Sequence, residues 1–65
     1  MQIWVNGEVE QIEPQSLESY LFKKSLLGRL IAVERNGDIV PKSQFSDVIL
    51  EDGDVLEIVH AIGGG

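Results

Sequence analysis

The chain contains no cysteine, two prolines, and five basic residues against eleven acidic ones. Without cysteine it can form no disulfide, no thiolate metal site and no cysteine nucleophile. No apolar run approaches the roughly 18 residues that cross a membrane, and the N-terminus lacks the charged and apolar segments of an export signal. These absences predict a cytoplasmic protein that does not associate with membranes.

The shortage of basic residues leaves a net charge of -6. Nucleic acid is therefore an unfavourable partner, because its phosphates select lysine and arginine, and Lys23 and Lys24 are too few for a basic patch. An acidic surface suits a partner with a basic face, and it also serves solubility. With 65 residues, the chain forms one domain whose apolar side chains are nearly all needed for its core. A self-contained enzyme is accordingly disfavoured.

Alternating apolar residues and turn dipeptides define the predicted elements. Asn6-Gly7 and Asn36-Gly37 are typical hairpin turns, and Asp52-Gly53 marks a further turn. Ser16 is placed to cap a helix, and Phe45 is the apolar plug of a single helical turn over 43–47. Strands are predicted over 1–5, 8–12, 30–35, 38–40 and 55–59, with a helix over 17–24.

This order of elements leaves one helix to cover one face of a small mixed sheet. A last strand lying parallel beside the first would protect the edges of both. The sequence therefore predicts an α+β fold of the β-grasp, or ubiquitin-like, type. We expect residues 1–59 to form this domain and residues 60–65 to form a flexible C-terminal tail.

The tail ends in three glycines, Gly63, Gly64 and Gly65. Six extended residues span about 20 Å, and glycines without β-carbons can pass through a narrow opening in another protein. An ATP-dependent partner could convert the terminal carboxylate into an acyl-adenylate, and a nucleophile could then displace AMP. The cargo attached in this way would be sulfur or a lysine amine. Glycines at a chain end are also often simply frayed.

The chain as a whole resembles the ThiS sulfur carriers, which are related to the MoaD carriers of molybdopterin synthesis. The resembling residues run in order along the sequence: Met1-Gln2-Ile3, Asn6-Gly7, Ala32-Val33-Glu34, Asn36-Gly37, Ile39-Val40-Pro41-Lys42, Phe45, Asp52-Gly53-Asp54, Val55, Glu57-Ile58-Val59 and Gly64-Gly65. Each motif is weak alone, but their order and the terminal position of the glycine pair are specific together.

The resemblance implies that a ThiF-like enzyme adenylates Gly65 and that a sulfur donor protein then supplies the sulfur of a thiocarboxylate. This group would donate sulfur for thiamin thiazole formation on a ThiG-like thiazole synthase. Gly63 and Gly64 would pass into the partners' active sites. The chain would be a co-substrate rather than a catalyst, and it would need no cofactor, since ATP is used by the activating partner.

Three other functions stay open at this point. A MoaD-like carrier would serve molybdopterin synthesis, although such carriers are usually longer than this chain. A protein modifier would join the same terminus to lysines. A ubiquitin-like binding module would act without covalent chemistry and with an idle tail. A hydrolytic or redox enzyme comes last, because no acid–base pair or nucleophile can be assembled from these residues.

A few other side chains need an interpretation before the structure is known. His60, the only histidine, is more typical of a solvated strand end than of a partner contact. Trp4 could anchor an interface, but packing at the rim of the core is favoured. Asp52 and Asp54 indicate a turn rather than a calcium site, which needs more oxygen ligands. The sheet face opposite the helix, with Ile58 or Val59 nearby, is a candidate docking surface.

Overall fold

The computed structural model describes residues 1–61, and these form a five-stranded mixed sheet with one α-helix. The elements are β1 Gln2–Val5, β2 Glu8–Gln11, α1 Leu17–Lys23, β3 Ile31–Arg35, β4 Asp38–Ile39, a 3₁₀ turn Lys42–Gln44, and β5 Val55–His60. Their order in the sheet is β2-β1-β5-β3-β4, with β1 and β5 parallel and the other pairs antiparallel. The predicted β-grasp arrangement is confirmed, including the parallel pairing of the first and last strands.

The first hairpin turn and the start of the helix have the local structure that the sequence predicts. Asn6 and Gly7 have φ angles of 51° and 84°, as a type I′ hairpin requires at both central positions. The Ser16 hydroxyl accepts a hydrogen bond from the Ser19 N–H at 3.0 Å, so the predicted N-cap is confirmed. The helix ends one residue before the predicted Lys24, within the usual uncertainty of helix ends.

The core lies between α1 and one face of the sheet. Phe45 is 5% exposed and fills the position predicted for an apolar plug, although the short turn before it begins at Lys42 because Pro41 serves as its N-cap. The buried apolar residues are Ile3, Leu17, Tyr20, Leu21, Ile31, Val33, Val40, Phe45, Leu50, Leu56 and Ile58. No helix within residues 1–61 is long and apolar enough to cross a membrane.

A polar cluster at the helix edge of the core ties α1 to the neighbouring hairpin. The buried Tyr20 hydroxyl donates to Glu10 Oε1 at 2.9 Å, and the Lys24 ammonium lies 3.1 Å from the same oxygen. Lys24 also stands over the Tyr20 ring, 5.6 Å from its centroid. Burial raises the pKa of Tyr20 well above its usual range, and the hydrogen bond and negative charge of Glu10 raise it further.

This cluster predicts a loss of stability in alkaline solution. A tyrosine whose pKa is higher in the folded chain keeps its stabilising effect below the usual value of about 10 and loses it at higher pH. Tyr20→Phe should lower the free energy of unfolding by about 1 kcal/mol at neutral pH. The variant should also flatten the decline of stability above pH of about 10, as measured by urea unfolding at several pH values. An alkaline decline as steep as that of the wild type would contradict this role.

Candidate functional site at the end of the last strand

The residues predicted to carry the chemistry follow directly from the central strand of the sheet. Gly63, Gly64 and Gly65 lie outside the described residues, which end at Ala61, immediately after β5. β5 has β1 on one side and β3 on the other. The two ends of β5 are held by different contacts, and those at its end fix the last described residues.

A buried carboxylate holds the beginning of β5. Asp54 is 5% exposed, and its Oδ2 accepts hydrogen bonds from the Glu51 N–H and from Arg35 Nε, each at 2.9 Å. Its Oδ1 accepts from the Asn36 side chain at 3.1 Å, and its carbonyl oxygen accepts from the Trp4 N–H. Asp54 thus joins three separate parts of the chain at the point where β5 starts.

The pKa of Asp54 lies below its ordinary value as a result of these contacts. Burial by itself would raise this pKa, but the hydrogen bonds from Glu51, Asn36 and Arg35, together with the Arg35 charge, outweigh burial. The neighbouring Asp52 accepts the Gln2 N–H at 2.7 Å. The predicted turn is confirmed, and both carboxylates are bonded to protein donors. Within residues 1–61, no group of carboxylates and histidine is arranged to hold a metal ion.

The end of β5 is held mainly by β3. The antiparallel register continues to the pair Ile31 and His60, and the Ala61 N–H donates to the Leu30 carbonyl at 2.7 Å. β5 is one residue longer than predicted, since it includes His60. The His60 side chain is exposed at this strand end, which agrees with the solvated position predicted for it.

The sheet face away from the helix, which we call the open face, carries several exposed apolar side chains. Trp4 is 37% exposed and lies directly opposite Val9 on β2 and Val55 on β5. The favoured packing of Trp4 at the core rim is therefore wrong, because residues alternate along β1 and the adjacent Ile3 occupies the core side. Val59 lies on the open face and is 58% exposed, whereas Ile58 is buried beneath the helix.

Two acidic residues lie opposite each other on this open face. Glu34 on β3 and Glu57 on β5 are register partners, so both carboxylates project from the same side of the sheet. Glu34 is also paired with the exposed Ile39 on β4. The sequence pattern did not identify this pair, because it depends on the register between two strands that are about twenty residues apart.

Comparison with known proteins agrees with this architecture. The sequence model of the ThiS family matches residues 3–65. The sulfur carrier protein ThiS of Bacillus subtilis is 40% identical over 50 residues, covering 77% of this chain and 76% of that protein. A crystal structure of the thiamine biosynthesis protein ThiS from Geobacter metallireducens superposes with a TM-score of 0.86 at 26% identity, and the match covers both chains completely.

A further similarity is to part of a larger protein. A thiazole synthase of Paramagnetospirillum magneticum is 44% identical over 66 residues, a match that covers the whole of this chain. The chain spans only 20% of the length of that relative. The similarity therefore concerns a segment of the synthase.

The sheet order and the covering helix define a ubiquitin-like β-grasp protein, in which β5 is the central strand. Two comparisons specify the family within this fold. The family model matches nearly the full chain, and the Bacillus subtilis carrier is 40% identical over 50 residues. The chain belongs to the ThiS family of sulfur carriers.

Proposed function

We propose that the chain carries sulfur as a thiocarboxylate on Gly65 and delivers it for thiamin thiazole formation. The observation that supports this most directly is that the central strand β5 continues into the glycine-rich segment. Hydrogen bonds hold the domain as far as Ala61, and the three glycines are the second, third and fourth residues after it. Membership of the ThiS family supports sulfur as the cargo.

The chemistry needs three steps, all carried out on partner proteins. A carboxylate oxygen of Gly65 attacks the α-phosphorus of ATP, which gives an acyl-adenylate and pyrophosphate. A persulfide sulfur of the donor protein then attacks the carbonyl carbon, and AMP leaves with the carboxylate oxygen that had bonded to phosphorus, which gives an acyl disulfide with the donor. A thiol finally attacks the donor's sulfur, so that the S–S bond breaks, the thiocarboxylate is released on Gly65, and the donor and the thiol are joined as a disulfide. Adenylation is required because a free carboxylate is a poor electrophile. The chain itself contributes the group to be modified and brings no cofactor, and we place this chemistry in the cytoplasm.

The partners follow from these steps. A ThiF-like enzyme would supply the adenylation, a separate donor protein would supply sulfur, and a ThiG-like thiazole synthase would receive it. A thiazole synthase that contains a segment similar to this whole chain supports the last pairing. Gly63 and Gly64 would occupy the narrow passage to each active site, where a side chain would clash.

The proposed function is tested by incubating the purified chain with ATP, the adenylating enzyme and a sulfur donor, and then measuring the intact mass. We expect an increase equal to the replacement of one oxygen atom by sulfur. Digestion should place that increase on the peptide that contains Gly65. A chain whose mass does not change, beside a related carrier that is modified by the same enzymes, would contradict the proposal.

We also assign the open face as the surface that docks the adenylating enzyme. Trp4, Val55 and Val59 provide apolar area, and Glu34 and Glu57 provide two facing carboxylates that an arginine can bind between them. Like charges directly opposite each other destabilise an isolated sheet. A basic partner side chain would relieve that repulsion, so the open face is better matched to a complex than to solvent.

Neutralising either Glu34 or Glu57 should have opposite effects on the stability of the domain and on its binding to the adenylating enzyme. Glu34→Gln or Glu57→Gln should raise the free energy of unfolding by about 0.2–1 kcal/mol, because cross-strand repulsion is removed. The same change should weaken binding to the adenylating enzyme by about threefold to tenfold, measured by calorimetry without ATP. Glu13→Gln is the matched control, since Glu13 is exposed in the loop before α1. Binding unchanged by the Glu34 and Glu57 variants would exclude the open face as the docking surface.

A further inference from the structure

The pairing of β1 with β5 stops before β5 does. The last register pair on this side is Val5 with Leu56, and the Asn6 N–H donates to the Leu56 carbonyl at 2.9 Å. The main chain then turns away at Asn6-Gly7 into β2. Among residues 1–61, Ile58 therefore has no main-chain neighbour on the β1 side, although its N–H and carbonyl point in that direction.

The side chain of Asn6 takes the place of the missing strand. Its Oδ1 accepts the Ile58 N–H at 2.7 Å, and its Nδ2 donates to the Ile58 carbonyl at 3.0 Å. A carboxamide has the same donor and acceptor groups as a peptide unit, so it can form both ladder bonds with one residue. The turn also fixes the backbone of Asn6 at a φ of 51°, which asparagine tolerates better than most residues.

From this geometry we infer that Asn6 is a positioning residue for the C-terminal segment. Its side chain extends the β1 side of the sheet to Ile58, three residues before the end of the described chain at Ala61. Ile58 is then bonded on this side by Asn6, while β3 pairs with the strand on the other side as far as His60. The chain consequently leaves the domain from a fixed point and in a fixed direction.

This inference rests on the proposed function, because a fixed departure point matters only if a partner must receive the C-terminus. A segment that starts from a rigid strand loses less conformational freedom when a partner binds it. Removing the two bonds would let the end of β5 separate from the sheet. The adenylating enzyme would then bind the carrier less tightly, while chemistry in the bound complex would be unchanged.

Two glycine variants provide a matched test. Asn6→Gly removes both side-chain bonds, and glycine still accepts the positive φ of the turn. Asn36→Gly makes the same change in the second Asn-Gly turn, where Asn36 has a φ of 52° and its side chain bonds Val55 and Asp54 at the beginning of β5. Each variant therefore loses two bonds of one amide, at opposite ends of the same strand.

The first measurement is amide hydrogen exchange followed by NMR, which requires no partner. In Asn6→Gly, the amides of Val59 and Ala61, which face β3, should exchange about fivefold to tenfold faster than in the wild type. In Asn36→Gly, their exchange should follow only the change in global stability. Equal exchange of these two amides in the two variants, after correction for global stability, would overturn the inference.

The second measurement is steady-state adenylation by the activating enzyme. Asn6→Gly should raise KM for the carrier about threefold to tenfold and leave kcat within about twofold, whereas Asn36→Gly should change neither. Asn6→Asp keeps the turn but puts an oxygen against the Ile58 carbonyl, so it should also raise KM. This variant replaces Asn6→Gly in the test if the glycine variant folds poorly. An unchanged KM in both Asn6 variants would refute the role, while absence of adenylation in the wild type would refute the proposed function instead.

Discussion

Deletion of Gly65, or addition of one alanine after it, is expected to abolish thiocarboxylate formation while leaving the fold intact. Either change moves the reactive carboxyl group by about 3.3–3.6 Å relative to the domain. A misplacement of about 1 Å at a reacting centre can lower a rate by about 100-fold, so a whole residue should reduce the product below detection. The measurement is intact mass after incubation with ATP, the adenylating enzyme and the sulfur donor.

The controls for this prediction distinguish the effect of chain length from the effect of an added side-chain atom. Gly64→Ala keeps the position of the carboxyl group and adds one β-carbon, so it should slow the reaction without changing the residue that is modified. Glu13→Gln, which alters an exposed residue before the helix, should react like the wild type. If the shortened or extended chain were converted at the wild-type rate, Gly65 would not be the attachment residue.

Asp54→Asn is expected to cause the largest loss of stability among the polar substitutions considered for this chain. The variant removes the charge that accepts hydrogen bonds from Glu51, Asn36 and Arg35, and it leaves Arg35 with only its longer ion pair, 3.4 Å to Glu51. Hydrogen bonds to a charged group contribute about 1.5–3 kcal/mol, and we expect a loss of that size in urea unfolding at neutral pH. Domains of this length have a stability of only about 3–10 kcal/mol in total.

The same variant should change the response to acid. The pKa of Asp54 is lowered in the folded chain, so its stabilising effect is complete above the ordinary aspartate value of about 3.9 and is lost as the pH falls through the lowered pKa. The difference in stability between wild type and Asp54→Asn should therefore shrink in that acidic range. Asp52→Asn is the matched control, because Asp52 is exposed and accepts one backbone N–H. A constant difference between wild type and Asp54→Asn at all pH values would contradict the assigned network.

The fold could be predicted from the sequence because its local signals agree with one another. The Asn6-Gly7 turn, the Ser16 cap and the buried Phe45 each specify a local structure that the global arrangement also needs. In a domain with one helix and one sheet, few other arrangements bury the apolar faces. The parallel pairing of β1 and β5 could be predicted for this reason, since it protects an edge of each strand.

The interactions that complete the candidate site could not be predicted in the same way. The facing of Glu34 and Glu57 depends on the register between distant strands, and the two bonds from Asn6 to Ile58 depend on where β1 ends beside β5. Trp4 is a different case, because the alternation along β1 separates it from Ile3 in the sequence itself, although packing at the core rim was favoured. Strand alternation places it on the open face, since Ile3 already fills the core side.

In the proposed function, β5 connects a rigid domain to the residue that is modified. Asp54 holds the beginning of the strand and Asn6 holds it at Ile58 on the β1 side, with β3 pairing along the other side. The open face beside the strand supplies apolar area and two carboxylates for a partner. Under the proposed function, these parts would present the modified group to the partner enzymes in turn.

The most direct test of the central claim is the intact mass of the protein purified from its native cell under conditions that preserve thioacids. We expect a chain that ends at Gly65 and a fraction of molecules in which one terminal oxygen is replaced by sulfur. Residues beyond Gly65, or recovery of the chain only as amide conjugates with other proteins and never as the thiocarboxylate, would contradict it.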